Sequence, residues 1–487
     1  MVIGSGPGGL QVSYCLQRLG IEHALLSADE APGGMFRRFP FFQRLLSWTK
    51  PYAPAERDTR AYEWYDWNSL LADDPDHRAV MAGLMDGTSE FPTRPDMERN
   101  LATFVERTGL PVRYGCRWES SQREASAEGD RFVIVTDEGE YRARICVFAV
   151  GVAEAWTPPG PGMDQVPHYV DTRPAETYAG RRLFIIGKQN SGFELANGLL
   201  PWARSIVLAS PRSATFSITN HSLAGIRARY LQPVEDFVVG GGVHVVNASI
   251  ERVERRGDAF LVHTRRSENG QPLVVEADDV IAATGFQAPL RDLAALGVAL
   301  FGQSRLPAQS PFWESATVPG IFFAGTITQG AAGLKKYGIP SSSGAVAGYR
   351  YNARVLAEQI AERHFGWQRP RPELEAAAVV PYLLDEATQA PELWNQRSYL
   401  ARAISVEAGS GIRDEGIVPL AWFVDSSGPD ALAVAVETDD RGDIHPAVYV
   451  RRAGRVDERL LESHPLLDFR TPGNRAQLEE IVRPLVA

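Results

Sequence analysis

Residues 1–10 read Met1-Val2-Ile3-Gly4-Ser5-Gly6-Pro7-Gly8-Gly9-Leu10, and a helix-compatible stretch follows to Leu19. A short apolar run, a glycine-rich turn and a helix are the opening pieces of a parallel α/β unit. In such a turn Gly4 permits the sharp reversal, Gly6 lets the backbone approach a diphosphate, and Gly9 lets helix and strand pack with no side chain between them. The helix N-terminus aims free N–H groups and the positive end of its dipole at the same point. The stretch is therefore expected to cradle a dinucleotide, with Gly4, Gly6, Pro7, Gly8 and Gly9 as contacts. Only Val2 and Ile3 precede the turn, whereas a buried first strand usually carries about four or five apolar residues. The natural start is accordingly expected upstream, with the first strand incomplete in this chain.

Outward from the turn, Gly33-Gly34 follow the strand-like run His23 to Leu26, as expected where a dinucleotide-binding domain brings a second stretch of chain against its ligand. An acidic residue about 20 positions past the fingerprint normally holds the ribose; here that position falls on Ser27, with Asp29 two residues on. Met35 to Leu71 is dense in aromatics, including Phe36, Trp48, Trp64, Tyr65 and Trp67, as expected of a loop that roofs a flat cofactor; ordinary loop packing is the other reading. Asn68 is the amide within this cluster, open to a structural or a catalytic role. Lys50 or Arg37 is placed to steer an anionic group. Met35, Phe36, Trp48, Trp118 and Gly151 complete the contacts expected on this side.

With 487 residues and a net charge of -10, the chain holds two or three domains and is a poor match for nucleic acid or an anionic membrane. Cys15, Cys116 and Cys146 form no C-x-x-C, so dithiol exchange of the thioredoxin-reductase kind is not expected. The nine histidines lack metal-ligand spacing, and no metal is expected. No stretch of about 18 apolar residues exists, and a cytoplasmic protein is expected.

In mid-chain Arg182 to Ile186 reads as a buried strand entering a second fingerprint, Gly187-Lys188-Gln189-Asn190-Ser191-Gly192. Gln189 stands where the middle glycine belongs, so its side chain must turn away or weaken binding. The next strand, Ser205 to Leu208, ends at Ser210 and Arg212 with no acid. Arg212 suits a 2'-phosphate, which favours NADPH over NADH; a surface arginine without a partner is the alternative. Asn220-His221-Ser222 and Arg227 line a cleft or cap a helix. Val280 to Phe286, with Thr284 and Gly285, reads as the return crossing to the first domain. Gly325 and Thr326 follow the last strand, and after Lys335-Lys336-Tyr337 a helix opening at Ser343-Gly344 runs to about His364, its dipole available to a reduced ring. Strand-like runs at Ile417 to Phe423, Ala431 to Glu437 and Ala447 to Arg451 mark a C-terminal region.

This order of fingerprints and return strand resembles the flavin monooxygenase and pyridine-nucleotide reductase superfamily over roughly residues 1 to 365. More narrowly, Phe36-Arg37-Arg38-Phe39-Pro40, Asp66-Trp67-Asn68-Ser69-Leu70-Leu71, Gly344 to Arg354 and His445 to Tyr449 resemble the FAD-dependent oxidoreductase-domain proteins of the endoplasmic reticulum quality-control type and their bacterial relatives. The F-x-G-x-x-x-H-x-x-x-W string of many monooxygenases is incomplete here, where Gly162 and His168 lack the flanking aromatics.

The expected architecture is α/β, with two dinucleotide-binding (Rossmann-like) domains, the second inserted in the first, plus a small C-terminal α+β domain. Its expected bounds are 1–155 and 281–366 for the FAD domain, 156–280 for the NADPH domain and 373–487 for the appendix. The resemblance implies an FAD enzyme reduced by NADPH that passes oxygen from a flavin C4a-hydroperoxide to nitrogen, sulfur or activated carbon of a small substrate. Alternatives are an NADPH-independent FAD oxidase or dehydrogenase, or a flavin-loaded partner-binding protein. A small-molecule substrate, O2 and a homodimer are the expected partners.

Overall fold

The computed structural model describes the chain apart from residues 126–130, 220–224, 332, 334–339, 408–410 and 487. The expected candidates Asn220-His221-Ser222 and Lys335-Lys336-Tyr337 fall outside the described residues. Two compact units are present: Met1–Gly151 together with Ala288–Ala487, and Val152–Gln287.

The first unit is built on a parallel five-stranded sheet ordered Ile321–Phe323, Cys146–Phe148, Val2–Ile3, Leu25–Leu26, Val112–Arg113. Val2 pairs with both Leu25 and Val147, and both Val2 and Ile3 are buried, as a central parallel strand requires. The Pro7–Arg18 and Val346–Phe365 helices share one core, in which Leu10, Leu16, Leu356 and Ile360 are buried. The Arg94–Thr108 helix is opened by a Thr93–Asp96 capping box and closed by Gly109 in the left-handed region, φ 63°. An antiparallel sheet of Trp118–Glu124, Arg131–Thr136 and Gly139–Ala143 completes this half.

The C-terminal portion of the same unit is an antiparallel six-stranded sheet, and its strand Asp430–Thr438 shows why it is buried on both sides. Successive residues point to opposite faces. Leu432, Val434 and Val436 face the Ala376–Gln389 and Pro472–Val486 helices, whereas Ala431, Ala433 and Ala435 belong to a core with Leu420 and Phe423. The strand expected over Ile417–Phe423 stops at Pro419 and gives way to a short helix, Leu420–Asp425. Proline has no amide to continue a sheet ladder, but it starts a helical turn freely. The helix expected from Gly344 begins instead at Val346, after a tight turn over Ser342–Gly344.

The second unit has a six-stranded sheet ordered Pro272–Ala277, Ala259–Arg266, Val243–Arg256, Ser205–Ser210, Arg182–Ile186, Asp279–Ala282. Val243–Arg256 starts parallel to Ser205–Ser210 and then runs antiparallel to Ala259–Arg266. Both units are thus Rossmann-type α/β. Among the described residues no helix is long and apolar enough to cross a membrane.

Candidate functional site: two glycine cradles

Gly4 has φ 109°, and a Cβ there would lie 2.5 Å from the Ala149 carbonyl oxygen. A Cβ on Gly9 would lie 1.8 Å from the Gly4 oxygen, and one on Gly8 would lie 2.3 Å from Gly325 Cα. Strand, turn and helix therefore touch backbone to backbone, with the chain after Ile321–Phe323 pressed against the same helix start. Gly6 differs: its nearest neighbour for an added Cβ is Gly34 Cα at 4.0 Å, so space opens in front of it. Gly33 donates its N–H to the Ser5 carbonyl at 3.1 Å and so fixes the second glycine pair at the edge of this space. Gly6 caps the Pro7–Arg18 helix without a side-chain bond, which leaves the first N–H groups for an external acceptor. Such a cradle fits a diphosphate.

Ser27, expected to contact the ribose, is buried, with its hydroxyl 2.6 Å from that of Ser5 and accepting the Asp29 N–H at 3.2 Å. Asp29 pairs loosely with Arg38 at 3.4 Å. Gly325 and Thr326 begin a helical turn, and the nearby buried Thr328 donates to the Gly325 carbonyl. Trp118 packs on Phe148 with centroids 4.9 Å apart and donates its indole N–H to Ser121, while Gly151 has φ 70° beyond the Cys146–Phe148 strand.

The aromatic segment folds back on itself. Trp67 donates its N–H to the Trp48 carbonyl, Lys50 donates to Tyr65, and Thr49 bridges to Asp66, which brings Trp48, Lys50 and Asn68 together. The Trp48 and Trp67 rings lie 4.6 Å apart, and the exposed Lys50 ammonium sits 5.0 Å from the Trp48 ring centre. Asn68 is buried; its Nδ2 donates to Thr49 Oγ1 at 3.0 Å and to the Ser47 carbonyl at 3.3 Å. Its Oδ1 is buried without a partner, as are Asp66 Oδ2 and Asn100 Oδ1. Each such acceptor costs about 1–3 kcal/mol unless a donor reaches it. Met35 and Phe36 occupy a short turn over Gly34–Arg37, and the side chain of Arg37 lies against Gly33.

Residues the sequence did not single out tie Ser343, Thr328 and the aromatic segment to the C-terminal portion of the chain. Asn352 donates to Ser343 Oγ at 2.9 Å and to Thr328 Oγ1 at 3.2 Å, and Gln396 donates to both Ser343 Oγ and Asn352 Oδ1. Arg60, within the aromatic segment, grips Glu386 and Glu392, and Arg402 also donates to Glu386. Burial pushes the Glu386 carboxyl up, but hydrogen bonds and charges from Arg60 and Arg402 outweigh it and hold the group below its usual value. Glu63 is held high, first by burial, and accepts the Tyr351 hydroxyl.

The second cradle repeats the first. Gly187 has φ 121° with an added Cβ 2.2 Å from Ala283 O, and a Cβ on Gly192 would lie 2.3 Å from Gly187 O. Gln189 occupies the helix cap in an extended conformation and is exposed. Asn190 ties the loop by donating to the Gly225 carbonyl and accepting the Arg227 N–H, and Ser191 follows in the first helical turn. Lys188, which sequence reasoning passed over, is buried and donates to Asn247 Oδ1; Asn247 in turn donates to Ser213 Oγ at 3.3 Å. Burial lowers the Lys188 ammonium to about 8. Ser210 donates to the Arg212 carbonyl, and Arg212 is exposed. Thr284 donates to the Trp156 carbonyl, and the Gly285 carbonyl lies 3.0 Å from His168 Nε2.

The family model described as pyridine nucleotide-disulphide oxidoreductase matches residues 1–325. The chain is similar to mouse FAD-dependent oxidoreductase domain-containing protein 2, 26% identical over 436 residues, covering 83% of this chain and 64% of that protein. The chain thus spans less than two thirds of that relative's length. Among solved structures it is similar to a bacillithiol disulfide reductase from Staphylococcus aureus, at 16% identity and TM-score 0.56 over 74% of this chain and 98% of that one. A flavin-containing monooxygenase from Stenotrophomonas maltophilia matches at 21% identity and TM-score 0.55, over 74% and 97% of the two chains.

Proposed function

The chain belongs to the pyridine nucleotide-disulphide oxidoreductase family and is a flavin-dependent oxidoreductase, and we propose that it is an NADPH-reduced monooxygenase acting on a small substrate through nitrogen, sulfur or activated carbon. One observation carries the choice of branch. The chain's three cysteines, Cys15, Cys116 and Cys146, are all buried and unbonded, and burial pushes Cys15 and Cys146 up to about 12. Thiols of that kind are not the thiolates that dithiol exchange needs, which argues against a dithiol of the chain itself as the outlet for electrons from NADPH and supports O2 as their acceptor.

FAD, when bound, supplies hydride acceptance and oxygen activation; the protein orients it and keeps water out. The N–H groups at the start of Pro7–Arg18 would hold its diphosphate, with Gly6 giving access and Gly33-Gly34 bounding the cradle. Asn68 presents the unpartnered Oδ1 as an acceptor for a ring N–H. Trp48 and Trp67 form an apolar wall, and Lys50 at its edge attracts an anionic substrate group. On the second unit, the N-terminus after Gln189 would take the NADPH diphosphate, and Lys188 with Arg212 supplies positive charge for the 2'-phosphate. The outward, extended Gln189 supports this reading.

The test mixes purified protein with NADPH without oxygen, follows bleaching of the yellow band, then admits air with candidate amines and thioethers. Bleaching by NADPH, with oxygen uptake matched to oxygenated product, is expected. Bleaching by substrate alone would mark an oxidase instead, and no bleaching by anything would mark a flavin-loaded binding protein.

A further inference from the structure

The C-terminal sheet carries a second cavity, far from the glycine turn in sequence and unused by the chemistry above. Alanines on one face of Asp430–Thr438 and its neighbours, among them Ala403 and Ala431, leave room that larger residues fill on the other face, and a cleft of about 290 Å³ results. This is near the lower end of volumes that hold small ligands. Phe312, Trp422 and Phe423 give it an aromatic lining, with the Phe312 and Trp422 rings 5.5 Å apart edge to face.

Its charges do not cancel. Arg371 is paired with Glu415, and Arg369 is paired with Glu358 at 3.0 Å and with Glu362 at 3.8 Å. Arg451 is 5% exposed and has no carboxylate partner among the described residues. Its guanidinium lies 4.3 Å over the Phe423 ring, and Nη2 donates to the Phe423 carbonyl at 2.5 Å and to Ser426 Oγ at 2.8 Å. Nε is buried and unpartnered. A buried cation without a counter-ion is costly, and with both Nη2 hydrogens committed Nη1, beside Gly428 in the cleft lining, is the nitrogen left to donate to a carboxylate. Stacking on Phe423 and two bonds on one nitrogen fix the fork's direction before any ligand arrives.

We propose that this cleft is a binding site for a small aromatic monoanion, its carboxylate on Arg451 and its ring against Phe312 and Trp422. One uncompensated cation selects one negative charge, and the volume limits the body to about two fused rings. The site is independent of the two nucleotide cradles, so its failure would leave the monooxygenase reading untouched.

The test titrates the FAD-loaded full chain with 2-naphthoate by calorimetry and by Trp fluorescence, beside its uncharged amide 2-naphthamide and the linear acid octanoate. Saturable one-to-one binding of naphthoate is expected, about tenfold tighter than either comparison compound. Arg451→Gln should weaken naphthoate by about tenfold and leave naphthamide unmoved. Because Arg451 also anchors the Phe423–Ser426 turn, Trp422→Ala serves as the second variant; Trp422 is 40% exposed, and its loss should weaken both ring compounds while the fold persists. Naphthamide or octanoate binding as tightly as naphthoate would overturn the proposal. So would the absence of saturable naphthoate binding, or binding unmoved by Trp422→Ala.

Discussion

Lys188 is a cation inside a glycine fingerprint, and its burial is what makes it informative. A lysine held at about 8 loses its charge as pH rises through that value. If it faces the 2'-phosphate of NADPH, affinity falls across the same window, because the phosphate is already dianionic there. Lys188→Met should weaken NADPH by about tenfold at neutral pH and flatten the dependence above it, read by flavin-bleaching titrations at several pH values. An unchanged pH profile in the variant would remove Lys188 from the site. The buried thiols predict the opposite of reactivity: a thiol reagent should label none of Cys15, Cys116 and Cys146 in the native protein and all of them in urea, and Cys→Ala changes should leave NADPH oxidation in place. At this scale the sequence is uneven. Gly4 and Gly9 are legible because no other residue fits a left-handed turn or so close a backbone contact. The burial of Lys188 is not, because it depends on Asn247, which arrives 59 residues later.

Among the elements, the two cradles show how little sequence is needed to specify a nucleotide turn and how much of its support comes from elsewhere. Strand, turn and helix follow from local pattern, but the pressure of Gly325 on Gly8 comes from chain that returns from a distance. The strand expected through Phe423 was misread because an apolar run has the same look in a buried strand and in a short buried helix. The ionic cluster Arg60–Glu386–Arg402 fastens the aromatic segment to the Ala376–Gln389 helix. The Arg60 side chain is 38% exposed and Glu386 keeps Arg402, so Arg60→Met, which leaves Glu392 without its cation, should cost about 1 kcal/mol in urea unfolding at neutral pH. The sign of the pH effect follows from Glu386. Its carboxyl is lower in the folded than in the unfolded chain, so its contribution is present above the usual carboxylate value and lost as pH falls through the folded one. Without Arg60 the folded value rises, and the acid-unfolding midpoint should move to higher pH; a midpoint that stays put would show that Arg402 alone suffices.

At the scale of the whole molecule, the Gln368-Arg369-Pro370-Arg371-Pro372 stretch reads as a linker before an appendix, yet the residues beyond it share a core with the flavin half. Leu400 is buried in the same cluster as Leu10 and Leu356, and Gln396 holds Ser343. This was invisible in the sequence because the partners lie tens to hundreds of residues apart and no local pattern records them. A chain ending at residue 372 should therefore lose FAD or fail to fold, as judged by gel filtration and flavin content; a stable yellow fragment would refute the shared core. The most direct measurement of the central claim, that the first glycine turn holds FAD, is flavin stoichiometry in wild type and Gly6→Val. A Cβ at Gly6 has room in the protein itself but enters the space left for the diphosphate. One FAD per wild-type chain and a folded Gly6→Val with none are the expected results. A colourless wild type that refuses added FAD, or a Gly6→Val that retains it fully, would contradict the claim.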